Sequence, residues 1–262
     1  MKLEIVSLAI PTHKEERKMR ILLPEDYEMS DKTYRVLYMH DGQNLFEDEK
    51  AFNHQSWKIA ECLKIKHIDD LIVVGIDNSD FRLFEYSPWP CTDDVKKMTK
   101  ITVGGLGEVY ASWIINHVKP FIDTNYRTKP DFENTMMAGS SMGAYITLYI
   151  ASTYPNVFKT LGIFSLASWF NEDALLNHMR MQNINTKQSY FISVGRHESS
   201  DPSNPGFNEI YINNSKKMRD TLHELGIQDV LYVETDDIHN ELAWRKVFPN
   251  FLSFAYQKST SD

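Results

Sequence analysis

The sequence predicts a single α/β domain over residues 1–262, with a mainly parallel central sheet and helices on both of its faces. Two observations carry that expectation. Short apolar runs alternate with longer helical patterns along most of the chain, which is the rhythm of a doubly wound parallel sheet. The runs are also apolar at successive positions, as strands covered on both sides require. A length of 262 residues suits one large domain with a substantial core.

The elements follow in order. Residues 3–8 and 19–24 read as two strands around the polar turn HKEERK at 13–18. The central runs are RVLYMH (35–40), LIVVGID (71–77), NTMMAG (134–139), TLGIFSL (160–166), SYFISVG (189–195) and DVLYVE (229–234). Helical patterns occupy 55–66, 107–123, 142–154, 171–181, 208–225 and 240–257. Gly104, Gly105 and Gly107 lack the lysine of a phosphate loop and read as a helix start. Segment 80–102 has no clear period, holds two prolines and is long for a connection between strand and helix. It is expected to cover the carboxyl end of the sheet, where open sheets of this kind carry their sites. Within it, Tyr86 and Trp89 are candidates for an aromatic pocket wall, and Arg82 and Glu85 could pair to brace the loop.

Charge and composition exclude several classes. Lys plus Arg is 28 and Asp plus Glu is 36, a net charge of −8, which argues against a nucleic-acid surface built on clustered positive charge. No apolar run approaches the ~20 residues of a membrane span. Two cysteines, Cys62 and Cys91, are too few for a disulfide framework. No His or Cys pair has metal-ligand spacing, so neither metal nor cofactor is expected. The N-terminal stretch is interrupted by Glu4 and too short for a signal h-region, and the expectation is a cytoplasmic protein.

Gly139-Ser140-Ser141-Met142-Gly143 is a G-x-S-x-G between a strand and an apolar helix. In that context Ser141, with glycine two residues away on each side, matches a nucleophile elbow. The helix behind it offers free N–H groups to a developing oxyanion. A serine hydroxyl needs a base, and four histidines follow: His178, His197, His223 and His239. His178 and His223 fall in helical patterns with polar neighbours, whereas His239 stands in the loop after the last strand, where such a base belongs. The acid that holds the imidazole should follow the penultimate strand, and Glu198 and Asp201 both qualify by spacing. The loop after the first central strand, 40–44, carries Gly42 and is the expected source of a second oxyanion donor.

Together YMHDGQNLF, VGIDNSDFRLFEYSPW, KPFIDTNYRTKPDFENTMMAGSSMGA, SVGRHE and HNELAWR resemble the putative esterase family, which includes siderophore esterases, feruloyl esterases, esterase D and mycolyltransferases. The resemblance spans nearly the whole chain. It implies an α/β-hydrolase fold and a serine esterase, with Ser141 as nucleophile and His239 as base. The family's G-x-x-acid falls on Gly195 to Glu198, which selects Glu198, and its oxyanion donors would be the backbone N–H groups of Gln43 and Met142. One departure is Ala144, where relatives often have a third glycine. The expected activity is hydrolysis of small or polar carboxylic esters through an acyl-enzyme, with a siderophore trilactone as the leading special case. An acyltransferase using the same triad and a non-catalytic binding module are the readings from other classes. The expected partner is a small-molecule ester, and the sequence sets no oligomeric state.

Overall fold

The computed structural model describes residues 1–199 and 205–257. The apolar runs become strands of one sheet: β1 (Lys2–Ala9), β2 (Glu16–Leu23), β3 (Arg35–His40), β4 (Leu71–Ile76), β5 (Thr135–Ser140), β6 (Thr160–Phe164), β7 (Ser189–His197) and β8 (Val230–Ile238). Their spatial order is β1-β2-β4-β3-β5-β6-β7-β8. The pairings from β4 across to β8 are parallel, while β1 and β2 add an antiparallel edge. The helices are α1 (Ile59–Ile65), α2 (Arg82–Glu85), α3 (Asp93–Thr99), α4 (Gly107–Trp113), α5 (Lys119–Asn125), α6 (Met142–Thr153), α7 (Glu172–Met181), α8 (Gly206–Glu224) and α9 (Glu241–Tyr256).

Two apolar layers explain why β3 to β7 are apolar at successive positions. By contrast β8, expected among the central strands, ends the sheet and is only partly buried, because no described strand pairs beyond it. In β3, Val36 and Tyr38 point into the layer built with α4, α6, α7 and α8, while Leu37 and Met39 point into the layer of α1 and α9. The period-2 alternation of a strand then divides one apolar run between two cores. The pattern at 107–123 is interrupted: α4 widens into a π-helical stretch, Ile114–Val118, before α5. Pro120, near the start of α5, has no N–H to give the carbonyl four residues back and its ring crowds that carbonyl, so the wider turn relieves both. No helix among the described residues is long and apolar enough to cross a membrane.

Segment 80–102 forms α2 and α3, and its Pro90 bridges to Gly104 just beyond it. Gly104 has φ of 94°, and a Cβ there would lie 2.1 Å from the Trp89 carbonyl oxygen, so only glycine fits. Arg82 and Glu85 do not pair with each other. Glu85 is buried and takes a two-pronged contact from Arg17, with both N–O distances 2.9 Å, and Arg82 turns the other way. Each is taken by a partner from another segment, Glu85 by Arg17 and Arg82 by Asp41. Tyr86 and Tyr110 flank His40 at ring-centroid distances of 5.3 and 5.8 Å. His40 Nδ1 lies 3.0 Å from the Tyr110 hydroxyl. Burial pushes His40 down to about 4, so it stays neutral at physiological pH.

Two outcomes follow from these anchors. Glu85→Ala leaves the Arg17 guanidinium buried without its carboxylate and should destabilise the fold by about 3–5 kcal/mol in urea titrations; a loss below one kcal/mol would contradict that role. As pH falls from 6.5 towards 4, the unfolded chain takes a proton at this histidine while the folded chain does not. His40 should therefore remove roughly 3 kcal/mol of stability across that window. His40→Asn should flatten the pH dependence of unfolding there, and an identical slope in both proteins would refute it.

Candidate active site

The turn from β5 into α6 sets the centre of the site. Gly139 and Gly143 face each other so closely that a Cβ on Gly139 would lie 2.4 Å from the Gly143 carbonyl carbon and oxygen. With both glycines present, the chain reverses within one residue, and Ser141 adopts φ 57°, ψ −122°. Non-glycine residues rarely accept a positive φ, and here the ladder on either side over-determines it. The Ser141 N–H donates to the Phe164 carbonyl at 2.9 Å, and its own carbonyl accepts from Ala144, Tyr145 and Ala167. The side chain is thereby left projecting from the sheet edge at the start of a helix buried almost end to end.

Glu198 and His239 arrive from β7 and β8. The spacing G-x-x-E has a structural reason. Gly195 donates its N–H to Glu198 Oε1 at 2.6 Å, and a Cβ on Gly195 would lie 2.3 Å from the Asp237 carbonyl oxygen. The missing side chain thus lets the end of β8 close over the turn and bring His239 to Glu198. His239 Nδ1 lies 2.6 Å from Glu198 Oε2. The Glu198 side chain is 0% exposed and that of His239 is 20% exposed. Tyr211 and Trp244 flank the imidazole, each with its ring centroid 5.0 Å away. Asp201, the other acid that the spacing allowed, lies outside the described residues.

Ser141 and His239 line one cavity of about 360 Å³, together with Gln43, Arg82, Glu241 and Trp244. Gln43 belongs to the helical turn Gly42–Asn44 and Met142 is the first residue of α6, positions whose N–H groups have no acceptor within their own helix. Gly42 is needed there, since a Cβ would lie 2.5 Å from the Gly75 carbonyl carbon on β4. Asp41, with φ 57°, receives Arg82 Nε at 2.7 Å, Arg82 Nη2 at 2.9 Å and Asn78 Nδ2 at 2.6 Å. Burial opposes charge on Asp41, but the guanidinium and the amide outweigh it and hold the carboxyl below the usual range. Glu241, at the start of α9, accepts from Asn44 Nδ2 at 3.2 Å. Burial, with Asp41 nearby, raises it above the ordinary glutamate value.

Other candidates sit elsewhere. His178 lies 3.0 Å from the Thr153 hydroxyl and stacks on Tyr149; burial lowers it. His197 faces Asp236 on the surface and His223 lies 3.0 Å from the Ile227 carbonyl. Tyr86 is 0% exposed beneath the Asp41 turn, its hydroxyl accepting from the Asp41 N–H at 3.2 Å, and so supports the cavity floor without lining it. Trp89 is directed away, edge-on to Tyr145 and Tyr149. Both differ from the aromatic wall expected, because the tight closure of segment 80–102 turns these rings into the core. The aromatic wall is formed instead by Trp244 and Phe52. Trp244 could have been found in HNELAWR, five residues after His239; Phe52 and Tyr211 carry no pattern that marks them.

Similarity to known proteins accords with this geometry. A protein of Bacillus subtilis, YbbA, described as uncharacterized, is 26% identical over 248 residues, 94% of each chain. A ferulic acid esterase superposes with a TM-score of 0.72 at 14% identity, covering 98% of both chains. The enterobactin esterase FES from Shigella flexneri, solved in the presence of enterobactin, gives 0.74 at 16% identity. That match covers 98% of this chain and 59% of the other. The family described as Putative esterase matches residues 10–254, and the chain belongs to it.

Proposed function

We propose that the protein is a serine carboxylic ester hydrolase that works through an acyl-enzyme. The observation that carries this reading is the shared cavity of Ser141 and His239, with His239 Nδ1 held 2.6 Å from Glu198. Nδ1 is engaged by the carboxylate, so Nε2 is the nitrogen left to act as base. Ser141 Oγ attacks the ester carbonyl as its proton passes to His239 Nε2. The negative oxygen that forms is stabilised by the N–H groups of Gln43 and Met142. His239 then gives the proton to the departing alcohol, leaving Ser141 acylated. Water attacks the acyl-enzyme in a second round, losing its proton to His239, which returns it to Ser141 Oγ as that bond breaks and the acid departs. Glu198 holds the imidazole in the required tautomer and balances the imidazolium.

Cavity size and lining bear on the substrate. A volume of about 360 Å³ is at the small end for ligand sites. Its walls carry Gln43, Arg82, Asn78 and Glu241 beside Trp244 and Phe52. That mixture suits a small or polar ester and gives a long acyl chain little apolar surface.

Ser141→Ala should abolish labelling by a fluorophosphonate and lower kcat on short p-nitrophenyl esters by several orders of magnitude, while thermal unfolding stays near wild type. Turnover at the wild-type rate would sink the mechanism. Glu198→Gln should cost about 10⁴ in kcat, the loss seen when the acid of a serine-protease triad is replaced by its amide. Asp201→Asn serves as the comparison, and a larger loss there would move the acid to Asp201. Across short acyl esters, feruloyl esters, S-formylglutathione and a trilactone siderophore, turnover should exceed that on long-chain emulsified lipids. A preference for the lipids would contradict the small-cavity reading.

A further inference from the structure

Glu198 is not held by its own loop alone. Its Oε1 accepts from Gly195 N–H at 2.6 Å and also from the Ser165 hydroxyl at 2.6 Å. Ser165 Oγ in turn accepts from Trp244 Nε1 at 2.8 Å. The direction of this chain is fixed by chemistry. An indole N–H only donates, so Ser165 must receive from Trp244 and has one proton to give, which goes to Glu198. Oε1 is thereby committed to two donors, and Oε2 remains for His239 Nδ1 at 2.6 Å. Ser165 is 3% exposed and sits at the carboxyl end of β6 with φ 49°. Its N–H donates to the Ser193 carbonyl at 2.7 Å, so the neighbouring strand holds its backbone in that unfavourable region.

Trp244 gives the arrangement a further consequence. The same indole that heads the chain lines the cavity beside Ser141 and stands edge-on to the imidazole at 5.0 Å and 84°. One ring thus touches the space for substrate, packs against His239 and feeds a hydrogen bond towards Glu198.

We propose that Trp244 and Ser165 form a directional relay that sets the orientation and charge of Glu198, making Ser165 a positioning residue for His239 and Trp244 both a cavity wall and the head of the relay. The proposal rests on the hydrolase reading above. Hydrogen bonds to a carboxylate spread its charge, and a donor that is itself hydrogen-bonded gives a stronger bond. Without Ser165 the carboxylate keeps more charge on the side facing His239. It then grips the imidazolium more firmly, and the free base appears only at higher pH.

The test uses Ser165→Ala, Trp244→Phe and the double variant, each checked for folding by thermal unfolding. Ser165→Ala should lower kcat about tenfold, with KM little changed, and move the acid limb of the kcat/KM profile to higher pH. Trp244→Phe should move that limb the same way by less, and the double variant should match Ser165→Ala. An unmoved limb in Ser165→Ala overturns the relay, and so does a Trp244→Phe displacement of equal size in both backgrounds. A readout independent of turnover is the downfield proton resonance of His239 Nδ1–H, which should shift in Ser165→Ala. If wild-type protein neither cleaves esters nor takes the fluorophosphonate, the hydrolase reading fails; the resonance still decides the relay, and an unmoved line refutes it.

Discussion

The contact between the end of β5 and the first turn of α6 governs the rest of this molecule. Strand and helix meet there across Gly139 and Gly143, with no room for a methyl group between them. Because the reversal takes one residue, α6 can lie directly against the sheet, and its side chains from Met142 to Ser152 are all buried. The backbone strain at Ser141 is sustained by what surrounds it: a ladder bond to Phe164 on one side and a helix locked into the core on the other. Strain of this kind costs about 1–3 kcal/mol, a small fraction of what so large a buried helix contributes.

Around that turn, parallel topology brings unlike segments to one edge. The residues after β3, β5, β6, β7 and β8 emerge on the same side, so Gln43, Ser141, Ser165, Glu198 and His239 meet although nearly two hundred positions separate the first from the last. Three buried carboxylates near this edge are paired. Arg82 holds Asp41, Arg20 holds Asp77 through bonds of 2.8 and 3.0 Å, and Arg17 holds Glu85. Such pairs add little net stability compared with apolar packing, but each fixes a loop to a strand at a defined angle.

The central strands were legible because they bury both faces and therefore read as continuous apolar runs, distinct from the helical periods between them. Ser141 and His239, the proposed nucleophile and base, stand out in the sequence because a G-x-S-x-G between strand and helix and a loop before the last helix are local patterns. The acid was ambiguous by spacing. The proposed acid, Glu198, is held by Gly195, whose N–H and missing side chain shape the turn, a relation that exists only in three dimensions. Segment 80–102 is hard to read from sequence for a related cause. Its aromatic residues suggest a pocket wall, yet Arg17, from β2, pairs with the buried Glu85, and Tyr86 lies beneath Asp41. Pairings between residues so far apart leave no trace in local sequence. The same holds for Ser165, whose hydroxyl acquires meaning only once Trp244 folds over it.

The cavity rim differs in kind from its floor. At the floor, Gly42, Gly139 and Gly195 each face backbone atoms within 2.6 Å of where a side chain would begin, so those positions admit one residue. At the rim, Phe52 is 67% exposed and Asn53 beside it is exposed as well, tied to the rest of the site through the Phe52 N–H, which donates to Asn44 Oδ1 at 3.0 Å. On the proposed hydrolase reading, exchanges there would alter which ester fits while leaving the glycine-lined turns below unchanged. A chain built this way can drift from one substrate to another through surface replacements alone, keeping its chemistry while its preferences change.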